Sequence, residues 1–273
     1  IEMDLRSVAN IIQRGGSILK AGRCMDFHKP ENRSLAVKNL RDAGIDAVVC
    51  IGGDGSFTGA KLLWEEHKYP IVGVPGTIDN DINGTELTIG FDTAVNTALD
   101  AVDRIRDTAA SHDRLFIVEV MGHNSGFIAA TCGLAGGAEE VFIPELPFQI
   151  EKTVELIQRG MARGKSSSIL ITAEGRKPGR ANDLAEAIRK HSGLQAKVCI
   201  LGHIQRGGSP SALDRVIASR MGSQAIETLL SGTCNVMIGV RGDQNVIVPL
   251  EEALRVRKQV DKAMIRLTSI LCN

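Results

Sequence analysis

The feature that most limits the fold is an alternation. Short β-branched apolar runs at 47–51, 71–74, 115–120, 168–173, 197–201 and 236–240 are separated by longer segments of helical period. Strands that alternate with helices build parallel sheets, because a parallel return needs a crossover long enough to hold a helix. Most of these runs are almost unbroken in apolar character, as strands covered on both faces should be. Between them, 92–107 carries Val95, Leu99, Val102 and Ile105 on one face, and 211–230 shows a similar stripe, both explained by core packing. The expected class is α/β with doubly wound, mainly parallel, Rossmann-like sheets. A length of 273 residues points to two domains rather than one core.

Charge and cysteine content narrow the function classes. Lys plus Arg and Asp plus Glu both total 32, so the summed field offers no footprint for nucleic acid or for a membrane surface. Any anion site has to be local. Cys24, Cys50, Cys132, Cys199, Cys234 and Cys272 form no CxxC pair and mostly sit in apolar runs. They read as reduced core thiols of a cytosolic protein rather than as disulfides or zinc ligands. No apolar run reaches the length of a membrane span and no secretory start is visible, so a cytoplasmic location is expected.

The strand ends carry the chemistry. After successive strands come GGDGS (52–56), PGTIDND (75–81), MGH (121–123), EG (174–175) and GHIQRGG (202–208). Ligands of open parallel sheets bind beyond the carboxyl ends of the strands, so these five ends are expected to line one large cleft. In GGDGS, glycines let the backbone approach a ligand and the following helix start favours phosphate. Asp54 would repel that phosphate unless a divalent cation bridged the two, and Mg²⁺ is commonly held by one or two carboxylates plus phosphate oxygens. The bland alternative is a glycine turn with Asp54 capping the helix. Asp79 and Asp81, on the next strand end, would then offer a base for an attacking hydroxyl and a second carboxylate near the metal. Their bland alternative is a turn in which both acids bond their own backbone. GMARGKS (160–166) is one residue short of a P-loop and precedes a strand instead of following one, so it is rejected as a phosphate cradle.

GGDGS, PGTIDND, Met121–Gly122 and GHIQRGG, in this order and spacing, resemble the ATP-dependent 6-phosphofructokinase family of bacterial type, over essentially the whole chain. The resemblance implies transfer of the ATP γ-phosphoryl group to the 1-hydroxyl of fructose 6-phosphate, with Mg²⁺ as cofactor. It makes Asp79 the base, Thr77 and Asp81 its ordering neighbours, and Asp54 the metal ligand. It assigns ATP to Arg23, Cys24, Gly53, Asp54, Gly55 and Ser56. The sugar phosphate falls to Thr77, Ile78, Asp79, Arg114, Met121, Gly122, His123, Glu174, Lys197, His203, Ile204, Gln205 and Arg206. An effector site for ADP or phosphoenolpyruvate is implied at Arg106, Gly137, Ala138, Glu139, Arg163, Lys165 and Ser166. The family further implies a homotetramer in which Arg114, also counted as catalytic, and the residue at Lys197 reach a neighbour's site. Glycine at Gly55 and Gly76 matches the ATP-using members; pyrophosphate-using relatives carry a bulkier acid and a lysine there.

Two positions depart from the family: His123 and Lys197 stand where arginine is usual, and lysine loses the bidentate fork. Members also begin with a strand and a Gly-rich nucleotide loop, whereas this chain opens at IEMDLRSVANIIQRGG. The expected domains are therefore 1–90 plus 205–255, a nucleotide-binding domain lacking its first strand and loop, and 91–204 plus 256–273, a sugar-phosphate-binding domain. Two other readings stay open: a non-catalytic or regulatory homologue, and a different GGDG kinase acting on NAD or lipids.

Overall fold

A computed structural model describes residues 1–110, 114–175 and 177–272. Irregular chain leads to a 3₁₀ turn at Met25–His28. The next elements are α1 (Pro30–Asp42), β1 (Val48–Gly52), α2 (Asp54–His67), β2 (Ile71–Pro75), α3 (Phe91–Ala110), β3 (Leu115–Val120), α4 (Phe127–Ala135) and β4 (Glu140–Phe142). There follow α5 (Ile150–Ala162), β5 (Ser168–Ala173), α6 (Arg180–Ser192), β6 (Ala196–Ile200) and a second 3₁₀ turn, Gly202–Arg206. The chain ends with α7 (Ala212–Leu230), β7 (Val236–Arg241), β8 (Gln244–Pro249), α8 (Leu250–Arg255) and α9 (Lys262–Leu271). Two compact units result: Ile1–Gly90 with Ser209–Lys258, and Phe91–Gly208 with Gln259–Asn273.

The first unit holds a sheet of order β1-β2-β7-β8, parallel except for β8. Side chains alternate across β2, and both faces are covered. Ile71 packs with Phe57, Ala60 and Leu63 of α2, whereas Val72 and Val74 pack with Ile217, Met221 and Ala225 of α7. That is why IVGVP reads as one apolar run. Arg33, 4% exposed, ties α1 to α2: its Nε donates to Glu66 at 2.8 Å and its NH1 donates to the Phe27 carbonyl at 2.8 Å.

The second unit holds an all-parallel sheet of order β4-β5-β3-β6. One face packs Leu115, Ile117 and Leu170 against Val154 and Ile157 of α5 and Leu184 and Ile188 of α6. Helices α3 and α4 pack against β3 and β5, and α9 packs on α4. In α3, Val95 and Val102 are buried as expected, joined by Ala94 and Ala98.

Several expectations need correction. Among the described residues, the runs at 47–51 and 197–201 form the outer strands of their sheets, with neighbours on one side, and Ile51 is 59% and Ile200 42% exposed. Strands β4 and β8 had been missed, the first because three residues carry no period. The second forms a hairpin with β7 across Gly242 and Asp243, a two-residue turn signal that was legible. The cysteines are not all core thiols: Cys132 is buried, its thiol pushed up to about 12 by burial, but Cys24 is exposed. Among the described residues, no helix is long and apolar enough to cross a membrane.

Helix packing gives the first test. A Cβ at Gly133 of α4 would lie 2.1 Å from Cγ2 of Val141 in β4, whereas one at Gly222 of α7 meets nothing within 4 Å. Gly133→Ala should therefore cost about 1–3 kcal/mol by overpacking. Gly222→Ala should be neutral or stabilising by up to about 1 kcal/mol. Denaturant midpoints of the two variants measure this; equal shifts would refute the packing argument.

Candidate active site

In the first unit, β1 and β2 run parallel with Gly52 paired to Pro75, and Gly76 N–H donates to the Gly52 carbonyl at 3.0 Å. The GGDGS and PGTIDND loops thus leave the sheet side by side. Asp54 is the first residue of α2, one position past the N-cap Gly53. Its carboxyl is held above the usual range, first by burial and then by the charge of Asp81, with Arg257 opposing. Arg257 Nε lies 3.6 Å from Asp54 Oδ2.

The neighbouring turn is organised by the residue between the two acids. Asn80, buried and at φ +52°, donates through Nδ2 to the Glu86 carbonyl at 3.2 Å and accepts from Thr88 N–H at 3.0 Å. Thr88 Oγ1 donates to the Thr77 carbonyl at 2.6 Å, and Asp79 N–H to Thr77 Oγ1 at 3.3 Å. Thr77, Ile78, Asp79 and Asp81 are partly exposed. From far along the chain, Lys258 N–H donates to the Asp81 carbonyl at 3.2 Å and its ammonium to the Glu86 carbonyl at 2.6 Å.

A cavity of about 670 Å³ brings Arg23 and Cys24 together with Gly55 and Ser56, alongside Cys50 and Phe27. Gly53 instead faces Thr77, whose Cβ would lie 3.5 Å from a Cβ on the glycine. Among the described residues no group of three or more His, Cys, Asp or Glu could hold a metal ion. A cation at Asp54 would have to complete its shell from phosphate oxygens and water, which is how Mg²⁺ is usually bound. The half-buried carboxylate beside a glycine loop fits that requirement.

In the second unit, the carboxyl ends of β3, β5 and β6 gather another set. Met121 is buried, and its N–H donates to Gln205 Oε1 at 2.8 Å. Gly122 adopts φ +142°, and a Cβ there would sit 2.3 Å from the Ser125 carbonyl oxygen, so only glycine fits. His123 is exposed, and its N–H donates to Glu174 Oε1 at 3.2 Å. His203, Ile204 and Arg206 are exposed on the 3₁₀ turn. Gln205, between them, is 1% exposed, and its amide is used on the Met121 N–H and the Ala94 carbonyl.

Arg114 and Lys197 do not join this set. Arg114 directly precedes β3 and Lys197 pairs with Phe116 near the start of β6. They lie at the amino edge of the sheet, about 20 Å of extended chain from Met121 and Glu174. Arg114 instead lines a cavity of about 200 Å³ with Lys165 and Ser166. Close by in the fold, Lys165 pairs with Glu139, which also accepts from Ile169 N–H. Arg106 donates to the carbonyls of Gly136 and Gly137, and the Ala138 carbonyl accepts from the Cys272 thiol at 2.8 Å. Five of the seven expected effector residues therefore form one cluster, with Ser166 beside Lys165 and Arg163 at the end of α5.

Sequence reasoning had overlooked Asn80, Arg257, Lys258 and Glu119. Glu119 is 1% exposed and accepts from Gly179 N–H and Ala181 N–H, both at 2.8 Å, at the start of α6. An acid inside the apolar strand LFIVEV was its signal.

A parallel α/β fold with a glycine–aspartate loop at one strand end and an acidic turn at the next is of the class that handles phosphates at strand ends. The comparisons with known proteins are specific. The phosphofructokinase family model matches residues 1–229. The chain is 53% identical over 271 residues to ATP-dependent 6-phosphofructokinase 1 of Thermus thermophilus, covering 99% of this chain and 84% of that one. It is 49% identical over 265 residues to ATP-dependent 6-phosphofructokinase 2 of Bacteroides thetaiotaomicron, covering 97% and 81%. Among solved structures it superimposes on Pichia pastoris phosphofructokinase in the T-state with a TM-score of 0.86 at 33% identity, covering 93% of this chain and 30% of that one. The pyrophosphate-dependent phosphofructokinase of Marinobacter aquaeolei gives 0.80 at 25%, covering 95% and 71%. The chain belongs to the phosphofructokinase family.

Lys258 supplies a pH test. Burial, opposed by the charges of Glu86 and Asp81, lowers its ammonium from the ordinary 10.5 to about 8. Between those values the unfolded chain keeps a proton that the folded chain releases, so this term makes stability rise with pH across the window. Below about pH 8 the penalty is fully present. Denaturant midpoints at pH 7.5, 9 and 10 should rise for the wild type relative to Lys258→Met; parallel curves would contradict the assignment.

Proposed function

We propose that the chain transfers the γ-phosphoryl group of ATP to the 1-hydroxyl of fructose 6-phosphate, giving fructose 1,6-bisphosphate and ADP in glycolysis. A glycolytic role implies the cytoplasm. The observation that carries the reading is the pair of loops locked together by the Gly76–Gly52 hydrogen bond, with Asp54 on one and Asp79 and Asp81 on the other. The curated relatives named ATP-dependent 6-phosphofructokinase support it, and no observation favours a non-catalytic homologue.

In this assignment the first unit binds the nucleotide. The cavity holding Arg23, Cys24, Gly55 and Ser56 takes ATP, and the start of α2 faces its phosphates. Asp54 holds Mg²⁺, which when bound supplies neutralisation of phosphate charge. Asp79 accepts the proton of the attacking hydroxyl, while Thr77 fixes the Asp79 backbone through its hydroxyl and Asp81 adds a neighbouring carboxylate. The second unit binds the sugar phosphate: Glu174 accepts from sugar hydroxyls, and His203 and Arg206 donate to its oxygens. Asp79→Asn should lower kcat by about 10²- to 10⁴-fold with a much smaller change in KM. Turnover should be faster with ATP than with pyrophosphate. A near wild-type rate in the variant, or a preference for pyrophosphate, would each refute its part of the reading.

The active assembly is a homotetramer, and the cluster of Arg106, Glu139 and Lys165 is a site for ADP or phosphoenolpyruvate. The position of Arg114 and Lys197 at the opposite sheet edge from Glu174 supports a site completed by a neighbouring copy. Coexpressed Asp79→Ala and Arg114→Ala chains should recover activity that neither has alone, because some mixed interfaces pair an intact Asp79 with an intact Arg114. Verified hybrids with no recovery would return Arg114 to its own subunit.

A further inference from the structure

Asp54 opens α2 after the glycine loop, and Asp81 lies on the turn whose start is bonded to that loop through Gly76 and Gly52, both acids being partly buried. Like charges brought together out of water need a cation. The sequence motifs around them supply none. Arg257 lies within ion-pair distance of Asp54, 3.6 Å away, and it arrives from the last residues of the first unit. Its backbone is anchored independently of its side chain. The next residue, Lys258, bonds the Asp81 carbonyl through its N–H and the Glu86 carbonyl through its ammonium, and Asn80 shares that Glu86 carbonyl. The guanidinium therefore hangs from a fixed point on the acidic turn, at the end of a long side chain that is 52% exposed.

We propose that Arg257 is a built-in counterion of the metal-binding carboxylate: it neutralises Asp54 while no divalent cation is bound and gives way when one binds. The inference rests on the assignment of Asp54 as the metal ligand. A half-exposed ion pair is of modest strength, so the competition is expected to be small and measurable rather than prohibitive. Its purpose is to keep the two acids from repelling each other in the empty site while the strand ends stay in place.

The test is Mn²⁺ titration of the full chain, without nucleotide and again with saturating ADP, read from the electron paramagnetic resonance signal of free Mn²⁺. Arg257→Gln should tighten nucleotide-free Mn²⁺ binding about two- to fivefold, Arg257→Lys should stay near wild type, and Asp54→Asn should abolish the site in either background. Equal Mn²⁺ affinity in wild type and Arg257→Gln, with Asp54→Asn still weakening both, overturns the counterion role and leaves the metal assignment standing. Weaker binding of Mn²⁺ with ADP in Arg257→Gln overturns it in favour of a direct phosphate contact. Binding indifferent to Asp54→Asn overturns the metal assignment and the counterion with it.

Discussion

One backbone hydrogen bond, from Gly76 N–H to the Gly52 carbonyl at 3.0 Å, sets the level at which two loops leave the first sheet. Neither residue has room for a side chain. A Cβ on Gly52 would lie 2.4 Å from Ser56 Oγ, and one on Gly76 2.9 Å from Ile51 Cγ2. Past this bond the acidic turn closes on itself, since Ile89 N–H returns to the Pro75 carbonyl at 2.9 Å and Gly76 bridges Ile89. The chain from 76 to 89 is thus fastened at both ends to the end of β2. Acids on such a loop cannot relax their repulsion by moving apart, and this is the condition that catalysis by positioned charge requires.

Holding charge in place has to be offset, and the offset comes from distant sequence. A chain whose formal charges sum to zero can still build a local field, provided acids and bases reach the site by different routes. Here the acids come from the strand ends at 54, 79 and 81, and the bases from 257 and 258. Lys258 is costly as a half-buried ammonium, which is why its affinity for the proton falls. It is retained in this place by a carbonyl acceptor and by the acids around it.

The parts legible in the sequence are those governed by local periodicity. Runs such as LFIVEV and SILITA were located to the residue, because strands paired on both sides within a parallel sheet leave an apolar signature in consecutive positions. The same signature misled at β1 and β6, where the run is apolar but the strand is the outer one of its sheet among the described residues, a property of its neighbours rather than of its residues. Motif spacing likewise singled out Asp54 and Asp79 as candidates, on loops that leave the sheet side by side. It could not find Arg257, whose contact with Asp54 joins residues two hundred positions apart, roughly. Nor could it separate Gln205, which serves the Met121 backbone, from the exposed His203 and Arg206 in the same motif.

A parallel sheet has polarity, and the second unit uses both of its edges. The carboxyl edge carries Gly122, Glu174 and His203, while the amino edge carries Arg114 and Lys197. No rotamer of a single arginine spans the length of β3, so residues at the two edges can share a ligand only through a second copy of the chain. The amino edge is also where Arg114 and Lys165 line one cavity, with Lys165 paired to Glu139. On the proposal that this cluster takes an anion, that anion would compete with Glu139 for the Lys165 ammonium, in the cavity that Arg114 also lines. On the reading that Arg114 serves a neighbouring subunit, binding at the effector cluster and sugar affinity next door are then linked by charge over a short distance, and the linkage is reciprocal.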